Sequence, residues 1–216
     1  MSSSGEFGSE AIGQLAELKP GPEMAAFLAT ISKGDLKPAD RVHLMQAHQR
    51  MVSFYQAELY SDMVAVWKHD QGEDVGEHFA FVVSELRAAL RLTRRAAEIE
   101  LGTAIDLFER TPLLGSSLRG GEIDLRRARV FGFGTAHLPD ELRQTVIEQT
   151  LGEAHRLTGG QLQALLRKVC IKVDPDEAQR RYESLVSDRR VVAQPDLDGT
   201  ASLWVLTWHP SACRRP

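Results

Sequence analysis

The side chains best equipped for chemistry in this sequence are arginines. Arg94 and Arg95 form an adjacent pair, and Arg126, Arg127 and Arg129 crowd one short stretch after Asp124. A guanidinium group presents a planar fork of donors that fits phosphate oxygens, so these five residues are the candidates for nucleic-acid contact. The same fork pairs with carboxylates, and Asp106, Glu109, Glu122 and Asp124 are at hand. The first pair lies in "ELRAALRLTRRAAEIEL", residues 85 to 101, which reads as a helix, a turn and a second helix. A base-reading helix-turn-helix needs a small residue in its first helix, one turn before a glycine in the bend. With Thr93 capping the second helix, those places fall on Arg87 and Arg91. Leu86, Leu90, Ala97, Leu101, Ala104 and Phe108 instead keep to one face of an uninterrupted helix. The expectation is a bundle helix running through this stretch with a solvated arginine face.

Other spacings argue against chemistry. Gly132 and Gly134 in "FGFGTAH" would need a third glycine where His137 stands, a strand before them and a helix after, to cradle a dinucleotide phosphate. Their expected role is close helix packing. The histidines form neither HExxH nor HxH, and Cys170 and Cys213 make no CxxC pair, so no metal site is expected. Glu73, Asp74 and Glu77 read as a solvated acidic turn, and no serine stands in a nucleophile elbow. The expectation is a chain with no catalytic residues, no metal and no cofactor, and with no small-molecule ligand evident.

Composition sets the frame. With 26 Lys+Arg against 30 Asp+Glu, the net charge of -4 gives no global field for nucleic acid, so any DNA contact must be local. Hydrophobic residues at 43% supply a core for the 216-residue chain. The start "MSSSGEFGSE" lacks a signal peptide's basic and apolar regions, and no apolar run approaches the roughly 20 residues of a membrane helix. Two cysteines give no disulfide framework. A cytoplasmic protein without a membrane partner is expected.

The elements that must hold the arginines follow from punctuation and period. Residues 1–21 read as a disordered polar tail ending in "KPGP". A short helix opens at Pro22, and a long one runs from Pro38 to Trp67, before the acidic loop "KHDQGEDVGEH". Pro112 and "GSSLRGG" stop the helical stretch that begins at Phe79, and Asp124 caps the next helix. Thr158 with Gln161 forms a capping box, and Asp174, Pro175 and Glu177 open a further helix. Two short stretches flank the turn signal Asp198-Gly199, and Ala201, Leu203 and Val205 alternate with Ser202, Trp204 and Leu206, which gives a β-hairpin over 191–206. The fold expected is mainly α: a multi-helix bundle over 22–206 with a long N-terminal helix, a small C-terminal hairpin and an irregular tail at 207–216.

Two long segments, "SELRAALRLTRRAAEIELGTAIDLFERTPLLGSSLRGGEIDLRRARVF" and "LTGGQLQALLRKVCIKVDPDEAQRRYESLVSDRRVVAQPDLDGTASL", resemble the thirteen-E-twelve repeat family. That family is a domain of unknown function with the serial number two hundred and twenty-two. The likeness rests on Leu90 with Arg91, Thr93 to Ala97, Leu118 with Gly121 to Ile123, Asp174 to Arg181, Arg189 with Arg190, and Pro195 to Gly199. Members commonly continue into an HNH nuclease module. His209 and Cys213 cannot build one, so the resemblance implies a non-catalytic module, truncated before the nuclease. Its implied task is positioning on DNA or docking a nuclease partner. The competing expectation is a structural or interaction domain that self-associates through its long N-terminal helix.

Overall fold

The computed structural model describes residues 12–34, 36–69, 74–187, 190–195 and 200–206. They fall into two compact units, Met1–Leu166 and Arg167–Pro216. As expected, the chain is mainly helical, with a long helix near its start and a terminal two-stranded hairpin.

The first unit begins earlier than its composition implies. Residues 12–17, placed by the sequence in a disordered tail, form a helix, α1. Ile12 and Leu15 are buried against Met24 of α2 (Pro22–Thr30) and Leu44, Ala47 and Met51 of α3 (Pro38–Lys68). Two apolar residues suffice because α2 and α3 supply the rest of the pocket. Arg50 of α3 ties the end of α1 down by donating to the carbonyls of Leu15, at 3.0 Å, and Leu18. Prolines open both α2 and α3, where the missing amide costs no helical bond.

Helix α4 (Val75–Leu90) starts inside the expected acidic loop, because Asp74 accepts from the amides of Gly76 and Glu77 and so caps it. It then stops, where a continuous helix was expected. Arg91 takes a left-handed conformation, φ 55°, and the amide of Leu92 bonds back to the carbonyl of Arg87 in a Schellman-type ending. Thr93 caps α5 (Arg94–Ile105), its hydroxyl accepting from the amide of Ala96. The stripe from Leu86 to Ala104 is apolar on both sides of this break, so periodicity alone could not reveal it. Helix α5 widens into a π turn, Asp106–Arg110, closed by the amide of Thr111 on the carbonyl of Asp106.

The stretch expected to end the helix is itself one: α6 (Pro112–Arg119). Gly115 serves packing here, since a Cβ would stand 2.9 Å from the Leu107 carbonyl oxygen. Gly121 makes the turn that follows; its φ of 69° suits glycine, and a Cβ there would meet that of Arg50 at 2.9 Å. Asp124 caps α7 (Leu125–Thr135) as expected, and α8 (Asp140–Ala154) completes the unit ahead of α9 (Gly159–Val173). The Thr158–Gln161 capping box at the head of α9 is formed. Helix α3 packs on α4, α5 and α6 around Tyr60, Leu101, Leu114, Leu118 and Phe131.

The second unit holds the end of α9, α10 (Pro175–Ser187) and strands β1 (Arg190–Pro195) and β2 (Ala201–Leu206). The strands are antiparallel, running from Arg190 opposite Leu206 to Pro195 opposite Ala201. The turn at Asp198-Gly199 and the tail at 207–216 lie outside the described residues.

Candidate nucleic-acid interface

The five arginines singled out by spacing separate by partner. Arg127 sits on α7 and donates from Nε to the carbonyls of Ala154 (3.0 Å) and Leu157 (3.1 Å), and from Nη2 to Leu157 again (2.8 Å). Its Nη1 meets Asp124 Oδ2 at 2.6 Å. A helix ends with carbonyls that lack partners, so Arg127 is the cap that closes α8. Arg129 donates to Tyr60 Oη at 2.9 Å and to Glu100 Oε1 at 2.6 Å, joining α7 to α3 and α5. Tyr60 in turn donates to Glu100, and burial followed by that hydrogen bond pushes its pKa well above the ordinary 10.0. Both guanidinium groups are thus half-buried and bonded within the fold, although the buried Nε of Arg129 has no partner.

Arg94 and Arg95 lie in the first turn of α5 and Arg126 in the first turn of α7, all exposed. Arg94 makes an (i, i+4) pair with Glu98 at 2.9 Å, with 72% of its side chain accessible. The break before α5 brings two further arginines to that end. Arg87 in the last turn of α4 and Arg91 in the bend are also exposed, so four arginines gather at the α4–α5 corner. Spacing had counted Arg87 and Arg91 against a helix-turn-helix; the left-handed backbone at Arg91 makes the bend, and both arginines are exposed around it. Glu85 and Glu98 are the acids nearby, outnumbered by the arginines. The amino end of α5 adds the positive pole of its helix dipole.

Arg143 also escaped the sequence reading. Arg143 on α8, buried, donates from Nη1 to Asp106 Oδ1 at 2.7 Å and from Nε to Thr135 Oγ1 at 3.0 Å. Gly132 lets α7 approach this pair, since a Cβ would stand 3.1 Å from Asp106 Oδ2. Gly134 likewise faces Leu166, a Cβ there reaching 3.0 Å from Cδ1. Both glycines lie inside α7 and serve packing, as spacing suggested. Among the described residues, no group of three His, Cys, Asp or Glu side chains is placed to hold a metal ion. Nor, among them, is any helix long and apolar enough to cross a membrane.

A family model described as a domain of unknown function, DUF222, matches residues 39–212. No curated protein and no solved structure matches the chain. The family match runs from the first turn of the long helix to beyond the second strand of the hairpin, and on that extent the chain belongs to the DUF222 family.

Proposed function

We propose that this domain is a non-catalytic, DNA-positioning module, acting in the cytoplasm as part of an HNH-endonuclease-type system. The association with a nuclease comes from the resemblance of the sequence. Support for DNA comes from the α4–α5 corner, where Arg87, Arg91, Arg94 and Arg95 are all exposed around a tight bend. Nothing in the arrangement distinguishes one base from another, so the contact is with the phosphate backbone. Arg126 is a second exposed candidate; Arg127 and Arg129 drop out because both are half-buried and paired with a carboxylate of the fold.

The test is a gel shift with duplex DNA across a salt series. On a duplex that engages one corner, four phosphate contacts should lower affinity roughly 10²-fold between about 50 and 200 mM salt, and replacing Arg91 and Arg95 by Ala should reduce the salt slope by about two. Absence of a shift at about 50 mM salt rejects the reading. A protein-interaction role without nucleic acid is the second reading, favoured by the apolar outer face of α3.

A further inference from the structure

We propose that the outer face of α3 is a self-association surface on which a second copy of this chain packs antiparallel. Helix α3 is 31 residues long. Its inner side builds the core. Its outer side carries Val42, Met45, Val52, Tyr55, Leu59 and Val66, each between 41% and 62% exposed. The outer side also carries polar residues such as His48 and Gln49, so this face is an apolar row with polar flanks, the make-up of a surface that pairs with a partner and not of a helix buried on all sides.

The pattern of this face specifies another helix. Met45, Val52, Leu59 and Val66 recur every seventh residue. On a straight helix such a row drifts by about 20° per heptad, and it stays in contact only with a partner helix coiled around it left-handedly. The row from Met45 to Val66 extends about 32 Å at 1.5 Å per residue, long enough for several layers of contact.

Charge at the two ends selects the partner and its direction. Between Arg41 and Asp62, α3 carries two charged residues other than histidine, Arg50 and Glu58, and both are turned elsewhere. Arg50 binds the carbonyls at the end of α1, and Glu58 pairs with Arg119 of α6 at 2.7 Å. Arg41 and Asp62 are exposed and share the same flank of the heptad row; Arg41 Nη2 donates to the Lys33 carbonyl at 2.7 Å, a neutral partner that leaves its charge uncompensated. An antiparallel copy brings the Arg41 end of one helix toward the Asp62 end of the other, twice by symmetry. A parallel copy would set each end beside its own kind. The surface therefore complements itself under a two-fold axis. This inference stands on α3 alone and does not depend on DNA binding.

Sedimentation equilibrium of the full chain at about 100 µM, above a micromolar Kd, should give twice the chain mass. Val52→Asp with Leu59→Asp should return the mass to that of one chain while the helical circular dichroism is kept. Asp62→Arg should weaken the dimer on the order of tenfold, and adding Arg41→Asp should restore it. That charge pair serves as the second arm should the double aspartate variant fail to fold. A monomeric wild type overturns the inference, as does a dimer indifferent to the two aspartates. Failure of the Arg41→Asp, Asp62→Arg variant to recover overturns the antiparallel direction.

Discussion

Arg129 and Arg95 carry the same fork of donors, yet one binds Tyr60 and Glu100 while the other faces solvent. Their immediate neighbours in the chain do not separate them; the partners of Arg129 lie 69 and 29 residues away. Two predictions follow from such buried contacts. Tyr60 is held protonated in the folded state, so the unfolded chain ionises first as pH rises. The contribution is complete below about pH 10, the unfolded value, and is lost as pH climbs toward the folded one. At neutral pH, Tyr60→Phe should cost about 1 kcal/mol through its hydrogen bonds. Above about pH 10 the melting temperatures of wild type and variant should converge, because only the wild type loses this term. Curves that stay parallel would refute it. For the second prediction, Asp106→Ala leaves the Arg143 guanidinium buried beside Thr135 with its carboxylate gone. The loss should be about 3 kcal/mol, at the lower end for a broken buried pair because Asp106 is partly exposed, and urea denaturation measures it.

At the scale of elements, the starts of α3, α7 and α9 were legible, while those of α1, α4 and α6 were not. Asp124, Pro38 and the Thr158–Gln161 pair sit where capping chemistry puts them, because a cap is decided within one turn of chain. Helix α6 was hidden by Pro112, Gly115 and two serines, residues that read as a loop but here admit the close approach of the π turn. The α4–α5 break was hidden for the opposite reason: no glycine or proline marks it, and Arg91 supplies the left-handed residue at a cost of about 1 kcal/mol. Arg91→Gly should therefore move two observables in opposite directions. Thermal stability should rise by about 1 kcal/mol as the backbone strain is relieved. DNA affinity should fall as one phosphate contact is removed, with a smaller salt slope. A variant that is stabilised and binds DNA as the wild type does would place Arg91 outside the contact. The candidate site was thus half legible: the pair Arg94 and Arg95 was visible, while Arg87 and Arg91 joined it only once the bend existed.

At the scale of the molecule, a net charge of -4 opposes DNA at a distance, so the proposed contact at the arginine corner would work against the remainder of the surface. Pairing through α3 would change this balance without any new contact to DNA. A two-fold dimer carries two α4–α5 corners, and the second binds at the effective concentration set by the first when both reach one duplex. The expected signature is a link between assembly and affinity. Breaking the dimer with Val52→Asp and Leu59→Asp, far along the chain from the corner arginines, should weaken binding to a long duplex by 10²-fold or so. It should also halve the salt slope, since half the phosphate contacts per complex are lost, while affinity for a duplex too short to span both corners stays the same. Titrations on long and short duplexes with wild type and variant measure all four values. A dimer-breaking variant that binds both duplexes like the wild type would show that the two surfaces act separately, with the corner engaging DNA one copy at a time.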